Sequence, residues 1–195
     1  MENDKKEYFN NYIEKLTSRL IEQCSSKGFL NGGVYEIEEL DEKWKLFAPE
    51  YMADAVPQIP DYPLVSIAWA GYIGMGAVVM WDKSWDKFKD AESIYKLMRD
   101  PRGFDCMDEH ITEDMLGLNL ESKEATDIEN LWRGCAQTAL DMLRKENIEP
   151  QSVDAFHIYS YTVKVFYKLG ISIELKRLKY KYVKVNVPIE DPKIN

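Results

Sequence analysis

The sequence has few of the residues from which catalytic and metal sites are usually built. It contains three cysteines and two histidines in 195 residues, and no CxxC pair. An odd number of widely spaced cysteines does not indicate a disulfide framework. Cys135 falls on the apolar face of a predicted helix and is expected to be a small buried residue. The nucleophile elbow GxSxG, the P-loop and the zinc motif HExxH are also missing. The sequence thus identifies no cofactor and leaves open whether the protein is an enzyme.

Targeting signals and a basic surface are lacking too. The first residues, MENDKKEYFNNY, contain no apolar stretch of the kind found in signal peptides, so a cytoplasmic protein is expected. The net charge of −9 opposes binding to nucleic acid and to anionic membranes, and neither is expected as a partner. Residues 164–195 nevertheless carry eight Lys or Arg against three Asp or Glu. We interpret the basic C-terminal element, residues 171–195, as a solvated face, with a site for an acidic partner as the alternative.

What the sequence does have is apolar periodicity at helical spacing. It predicts an all-α fold, a single helical domain over residues 1–195 built as a bundle of about six or seven helices. The pattern is clearest over residues 122–147, with Ser122 as the N-cap. Ser152 is predicted to cap a later helix that ends before Gly170. The predicted helices span residues 4–24, 36–47, 63–81, 84–99, 102–116, 122–147 and 152–169.

Two regions interrupt this pattern. The proline-rich connection at residues 49–63 is predicted to be loop or broken helix. After Gly170, residues 171–178 could extend a helix, whereas residues 180–187 alternate aromatic or β-branched residues with polar ones and could form a short C-terminal strand.

Residues 63–81 contain no charged side chain. Such a run is almost long enough to cross a bilayer, but its acidic flanks do not follow the positive-inside rule. The other helices are amphipathic and need an apolar partner, so we predict that this segment is a central core helix.

Small residues within this helix indicate close approach by a neighbour. Ser66, Ala70 and Gly74 recur every four residues, with Gly71 beside them. Packing against another helix is one interpretation. The other is an apolar ligand pocket beside the glycines, with the candidate residues Trp69, Gly71, Tyr72, Gly74 and Trp81.

An acidic cluster near the first histidine is the best candidate for metal chemistry. Glu109, His110 and Glu113 lie within five residues of one another, and His157 is the second histidine of the chain. Carboxylate and imidazole groups together bind divalent metals or transfer protons. These four residues are the predicted metal ligands of a metal-dependent hydrolase or oxidoreductase. A solvated acidic helix face is the competing interpretation.

The absence of a catalytic signature and the abundance of aromatic residues favour another function. Aromatic side chains are enriched at protein interfaces, although they also fill cores. The leading hypothesis is therefore a non-enzymatic helical interaction protein that self-associates as a homo-oligomer, with no protein partner identified by the sequence. The metal-dependent enzyme and a bundle that binds an apolar small ligand are the alternatives.

Overall fold

The computed structural model describes residues 2–36, 38–89 and 94–180, and these residues form an all-α fold. The predicted fold class is confirmed, with slightly more helices than the predicted six or seven. The α-helices of the described ranges are α1 Glu2–Ser26, α2 Glu38–Ala55, α3 Pro63–Lys83, α4 Trp85–Phe88, α5 Ile94–Met98, α6 Met107–His110, α7 Lys123–Leu143 and α8 Val153–Arg177. Short 3₁₀ helices at Val56–Gln58 and Phe104–Cys106 and a π-helix at Ile111–Met115 complete the set.

Helix α3 is the central helix, as predicted. Pro63 occupies its first position, where its missing N–H costs no hydrogen bond. Every residue from Ser66 to Met80 except Trp69 is buried. By length and composition α3 could cross a membrane, but 78% of its apolar window is buried within the fold, chiefly against α8 and α7. The apolar surface of α3 is therefore covered by neighbouring helices.

Helix α8 continues past the point at which the sequence predicted its end. Gly170 was expected to stop the helix in the left-handed conformation, but α8 runs through it to Arg177. Positive φ angles occur at Gly28 and Gly117, which do follow helical segments, and not at Gly170. Gly170 instead lies where α8 meets α3, so its lack of a side chain serves packing rather than helix termination.

Helix α2 also extends further than predicted, because Pro49 does not break it. The region from residue 49 is predicted to be loop or broken helix, but residues 49–55 continue α2 without a break up to Ala55, and a short 3₁₀ helix follows. Pro49 is exposed, whereas Trp44, Tyr51 and Ala55 on either side of it are buried. The apolar burial along this face offsets the backbone hydrogen bond that proline removes.

Two serines fix the starts of the last two long helices. The hydroxyls of Ser122 and Ser152 each accept a hydrogen bond of 3.1 Å, from the backbone N–H of Ala125 and Ala155 respectively. Both predicted N-caps are confirmed. The predicted helices at 84–99 and 102–116 prove to be shorter pieces, namely α4 and α5 in one case and the 3₁₀, α6 and π segments in the other.

Basic residues of α8 form ion pairs within the fold. Lys168 on α8 forms ion pairs of 3.0 Å with Glu36 and with Asp41 of α2. Arg177 binds the fully buried carboxylate of Glu174 through two nitrogens, each 2.8 Å from an oxygen. The Lys168 pairs join α8 to α2 and to Glu36, which precedes α2, whereas the Glu174–Arg177 pair lies within α8. The alternating segment predicted as a strand, residues 180–187, lies outside the described residues apart from its first.

Candidate functional site

The connection over residues 144–152 joins α7 to α8 and ends in a sharp turn at Gln151, after which apolar side chains are exposed. Gln151 adopts a positive φ of 63°, and Ser152 then caps α8. As a result the first turn of α8 points Val153 and Phe156 toward solvent, with exposed fractions of 71% and 49%.

An apolar groove of about 820 Å³ lies beside this turn. Its walls come from the end of α7, the start of α8 and the segment around the first 3₁₀ helix. Its volume falls within the range of about 300–1,000 Å³ that is common for small-molecule sites. The lining side chains are mainly aliphatic or aromatic: Val56, Ile59, Pro60, Leu140, Leu143, Ile148, Pro150, Ala155, Phe156, Ile158 and Tyr159, with the polar residues Arg144, Gln151 and Ser152.

The groove has one charged residue in its lining, Arg144. This residue is exposed, and its guanidinium forms no ion pair or side-chain hydrogen bond with any residue that the structure describes. Tyr159 contributes its ring, while its hydroxyl donates to the backbone oxygen of Ser66 at 2.8 Å and is directed into the core. The site thus combines an apolar surface with a cation that is free to bind an anion.

A shallower depression of about 700 Å³ continues the apolar surface toward α2. It shares Val56 and Phe156 with the groove. Phe156 therefore stands between two apolar hollows, and its exposed ring is accessible from both.

The residues predicted to hold a metal do not converge into one site. His110 uses both ring nitrogens within the protein: Nδ1 lies 2.7 Å from Asp114 Oδ2 and Nε2 lies 3.1 Å from the backbone oxygen of Leu97. Glu109 forms an ion pair of 3.1 Å with Arg102. Glu113 is exposed nearby.

His157 belongs to a different surface. It is exposed on α8 and stacks on Tyr161, with ring centroids 6.4 Å apart. Within the described part of the chain, no group of three or more His, Cys, Asp or Glu side chains is arranged to hold a metal ion. The metal-dependent enzyme stays a prediction that elemental analysis of the purified protein can test.

Most residues of the predicted glycine pocket lie in a packed interior. A Cβ atom at Gly71 would lie 2.7 Å from the indole ring of Trp132, and one at Gly74 would lie 2.9 Å from the backbone nitrogen of Ile171. Tyr72 is buried beside them. Helices α7 and α8 thus occupy the space beside the glycines of α3, in agreement with the helix-packing interpretation.

The two tryptophans of the predicted pocket lie at opposite ends of α3. Trp69 is half-buried and donates from Nε1 to the backbone oxygen of Phe104 at 2.9 Å. Trp81 lines a smaller cavity of about 280 Å³ together with Trp85 and Tyr180. The candidate residues therefore do not surround a common space.

One carboxyl group of the acidic segment has an unusual environment. Burial raises the pKa of Asp108 from 3.8 to about 6, and the neighbouring charge of Glu109 acts in the same direction. Its Oδ1 atom is buried and has no hydrogen-bond partner among the described residues. Such a group takes up a proton near pH 6 and makes the stability of the fold depend on pH.

Sequence reasoning missed the groove because its walls come from three separate segments. Residues 56–60, 140–152 and 155–159 are brought together only by the fold. In the sequence these segments are marked by prolines at positions 57, 60 and 150 next to apolar residues, a pattern typical of connections between helices. Neither a scan against protein-family models nor searches of curated proteins and of solved structures found a match to this chain.

Proposed function

We propose that this chain is a non-enzymatic binding protein whose site is the apolar groove between the end of α7 and the start of α8. The observation that carries the proposal is the groove itself, about 820 Å³ of concave surface lined mainly by apolar side chains. A concave apolar site with a few polar groups is the usual form of a small-molecule site. This function belongs to the apolar-ligand alternative, although the site differs from the glycine pocket that the sequence indicated.

The charge of the lining favours a particular chemical class of ligand. The chain as a whole carries a net charge of −9, which repels anions. Arg144 reverses this locally, because its guanidinium is not neutralised by any described carboxylate. A guanidinium binds a carboxylate, sulfonate or phosphate through two parallel hydrogen bonds. The ligand that fits is therefore an amphipathic molecule with an apolar body and one anionic group.

Isothermal titration with decanoate, a linear carboxylate, tests the proposal. The folded chain is expected to bind decanoate saturably and with one-to-one stoichiometry. Ala155→Trp places an indole in the groove and should weaken binding at least tenfold, because the apolar body loses its space. Thr126→Trp, at an exposed position near the start of α7, is the matched control and should bind like the native chain. Absence of saturable binding, or equal binding by Ala155→Trp, contradicts the proposal.

Self-association is a second candidate function, favoured by the exposed apolar side chains at the start of α8. Val153 is 71% exposed and lies one helical turn from Phe156. Exposed apolar patches of this kind often mark protein interfaces. The solution mass from light scattering tests it: a dimer should become a monomer in Val153→Asp. Aspartate is well tolerated at the first position of a helix, so a folded variant is expected. A native chain that is monomeric at all concentrations contradicts this function.

A further inference from the structure

Two buried thiols from distant parts of the chain face each other between α1 and α7. The Sγ atoms of Cys24 and Cys135 lie 3.8 Å apart, although 111 positions separate them in the sequence. Both residues are fully buried. Beside them, the hydroxyl of Thr138 donates to Oε1 of Gln23 at 2.9 Å, which holds the two helices in register. The contact therefore belongs to an ordered helix crossing.

We propose that Cys24 and Cys135 are a redox-active pair that a two-electron thiol oxidant converts into a disulfide linking α1 to α7. A disulfide bond is about 2.0 Å long, so the two sulfur atoms must approach by somewhat less than 2 Å. Rotation about the two Cα–Cβ bonds moves the sulfur atoms by distances of this order. The third thiol, Cys106, is half-buried in the 3₁₀ segment that precedes α6 and belongs to neither helix.

The environment of Cys135 slows the reaction of the pair with an oxidant. The hydrogen bond to Cys24 and burial raise the pKa of Cys135 well above its ordinary value. The thiolate is the reactive form, so the closed pair reacts slowly. Because the pair is fully buried, an oxidant reaches it only when α1 and α7 separate locally. The rate of cross-linking therefore measures how often this local opening occurs.

The azo compound diamide is a suitable neutral two-electron oxidant for this pair. The thiolate of one cysteine adds to the N=N bond of diamide, forming an S–N bond. The sulfur of the second cysteine attacks the first sulfur, so that the S–S bond forms and the S–N bond breaks. The two thiol protons end on the two nitrogens, giving a hydrazine. The thiols are oxidised by two electrons and the azo group is reduced by two.

The test uses the full chain with Cys106→Ser, which removes the competing thiol and leaves the pair intact. After treatment with diamide, intact-mass measurement should show the loss of two hydrogen atoms per chain. Peptide mapping without reductant should recover one peptide pair, joined between Cys24 and Cys135. The melting temperature should rise by several degrees, because a cross-link that closes a loop of this length restricts the unfolded chain. Reductant should reverse all three changes.

Controls separate this bond from other oxidation products. Cys24→Ala and Cys135→Ala, each combined with Cys106→Ser, should lose the internal cross-link. If either variant fails to fold, the peptide map of the Cys106→Ser chain decides the question alone. An unchanged mass, a cross-link between chains, or an oxidised protein whose melting temperature does not rise overturns the proposal.

Discussion

Gly170 of α8 contacts the backbone of Gly71 of α3, at the crossing of the two most extensively packed helices. A Cβ atom at Gly170 would overlap the carbonyl oxygen of Gly71 and would lie 3.1 Å from the Cα atom of Gly74. The obstruction is backbone on both sides, which cannot move aside as a flexible side chain can. The crossing therefore requires glycine at position 170.

Replacing Gly170 by alanine should destabilise the protein, although alanine is the better helix former. Intrinsic helix propensity favours alanine over glycine by about 1 kcal/mol, whereas forcing extra atoms into a packed core typically costs about 1–3 kcal/mol. Because the overlap here involves backbone atoms, we expect the steric cost to exceed the gain in helix propensity. Urea denaturation should show a lower free energy of unfolding for Gly170→Ala.

Gly134→Ala provides the matched control on α7. A Cβ atom there would meet only the ends of flexible side chains, with Nε2 of Gln23 at 3.1 Å and Nζ of Lys27 at 3.7 Å. These ends can shift, so this variant should be neutral or gain up to about 1 kcal/mol. If both variants change stability in the same direction, the backbone contact does not limit the α3–α8 crossing.

The apolar pattern predicted the elements whose position depends on local sequence. The uncharged run of α3 and the serines that cap α7 and α8 followed from periodicity and capping chemistry. The role of Gly170 could not be predicted in the same way. A glycine that ends a helix and one that admits a neighbouring helix are identical in sequence, and only the partner helix distinguishes them.

The candidate site was harder to predict for a related reason. Phe156 lies in register with buried residues of α8, yet none of the described helices covers the first turn of α8 and the Phe156 ring remains half exposed. Similarly, nothing in the spacing of Cys24 and Cys135 shows that α1 and α7 place them in contact. Amphipathic periodicity identifies which face of a helix is apolar, but it does not show whether another helix reaches along its whole length.

Asp108 should make the protein less stable as the pH rises through the range from about 4 to 6. Burial raises the pKa of its carboxyl group from 3.8 in the unfolded chain to about 6 in the folded protein. The folded state therefore binds the proton more tightly, and its advantage is lost on ionisation. Asp108→Asn mimics the protonated form. At pH 7 it should raise the free energy of unfolding by on the order of 2 kcal/mol, whereas near pH 4 the difference should be small.

Urea midpoints measured between pH 4 and pH 7 check this expectation. Glu113→Gln is the control, because Glu113 belongs to the same acidic segment but is exposed. This variant should unfold at urea midpoints close to those of the native chain, because an exposed side chain makes few contacts in the folded state. A native chain and an Asp108→Asn variant that differ by the same amount at every pH would mean that the carboxyl group is not desolvated in the folded protein.

Tyr51 of α2 and Tyr159 of α8 should be energetically coupled through a shared acceptor. Their hydroxyls donate to the same backbone oxygen, that of Ser66, at 2.7 and 2.8 Å. Tyr51→Phe and Tyr159→Phe should each cost about 1 kcal/mol. The double variant should cost about 0.5–1 kcal/mol more than the sum, because in each single variant the remaining hydroxyl can strengthen its bond to the shared oxygen.

A second cycle tests whether this coupling is local. Tyr12 forms its own hydrogen bond of 2.8 Å with the hydroxyl of Thr162 and does not donate to Ser66. Tyr12→Phe combined with Tyr51→Phe should therefore give additive losses in free energy of unfolding. Coupling of equal size in both cycles would point to a general loosening of the core instead of a shared acceptor.

Arg144 should make the groove prefer a ligand with a negative charge to an uncharged ligand that has the same apolar chain. In Arg144→Gln, decanoate should bind several-fold more weakly, because an exposed ion pair contributes up to about 1 kcal/mol, which corresponds to roughly a fivefold change in Kd. Decanol, which has the same apolar chain and no charge, should bind the native chain and Arg144→Gln equally.

The neighbouring Lys145 is exposed and does not line the groove, so Lys145→Gln should leave both affinities unchanged. Added salt should weaken decanoate binding to the native chain and have little effect on decanol. Equal losses for decanoate and decanol in Arg144→Gln would show that the residue acts through packing of its aliphatic stem, and the ligand would then be an uncharged apolar molecule.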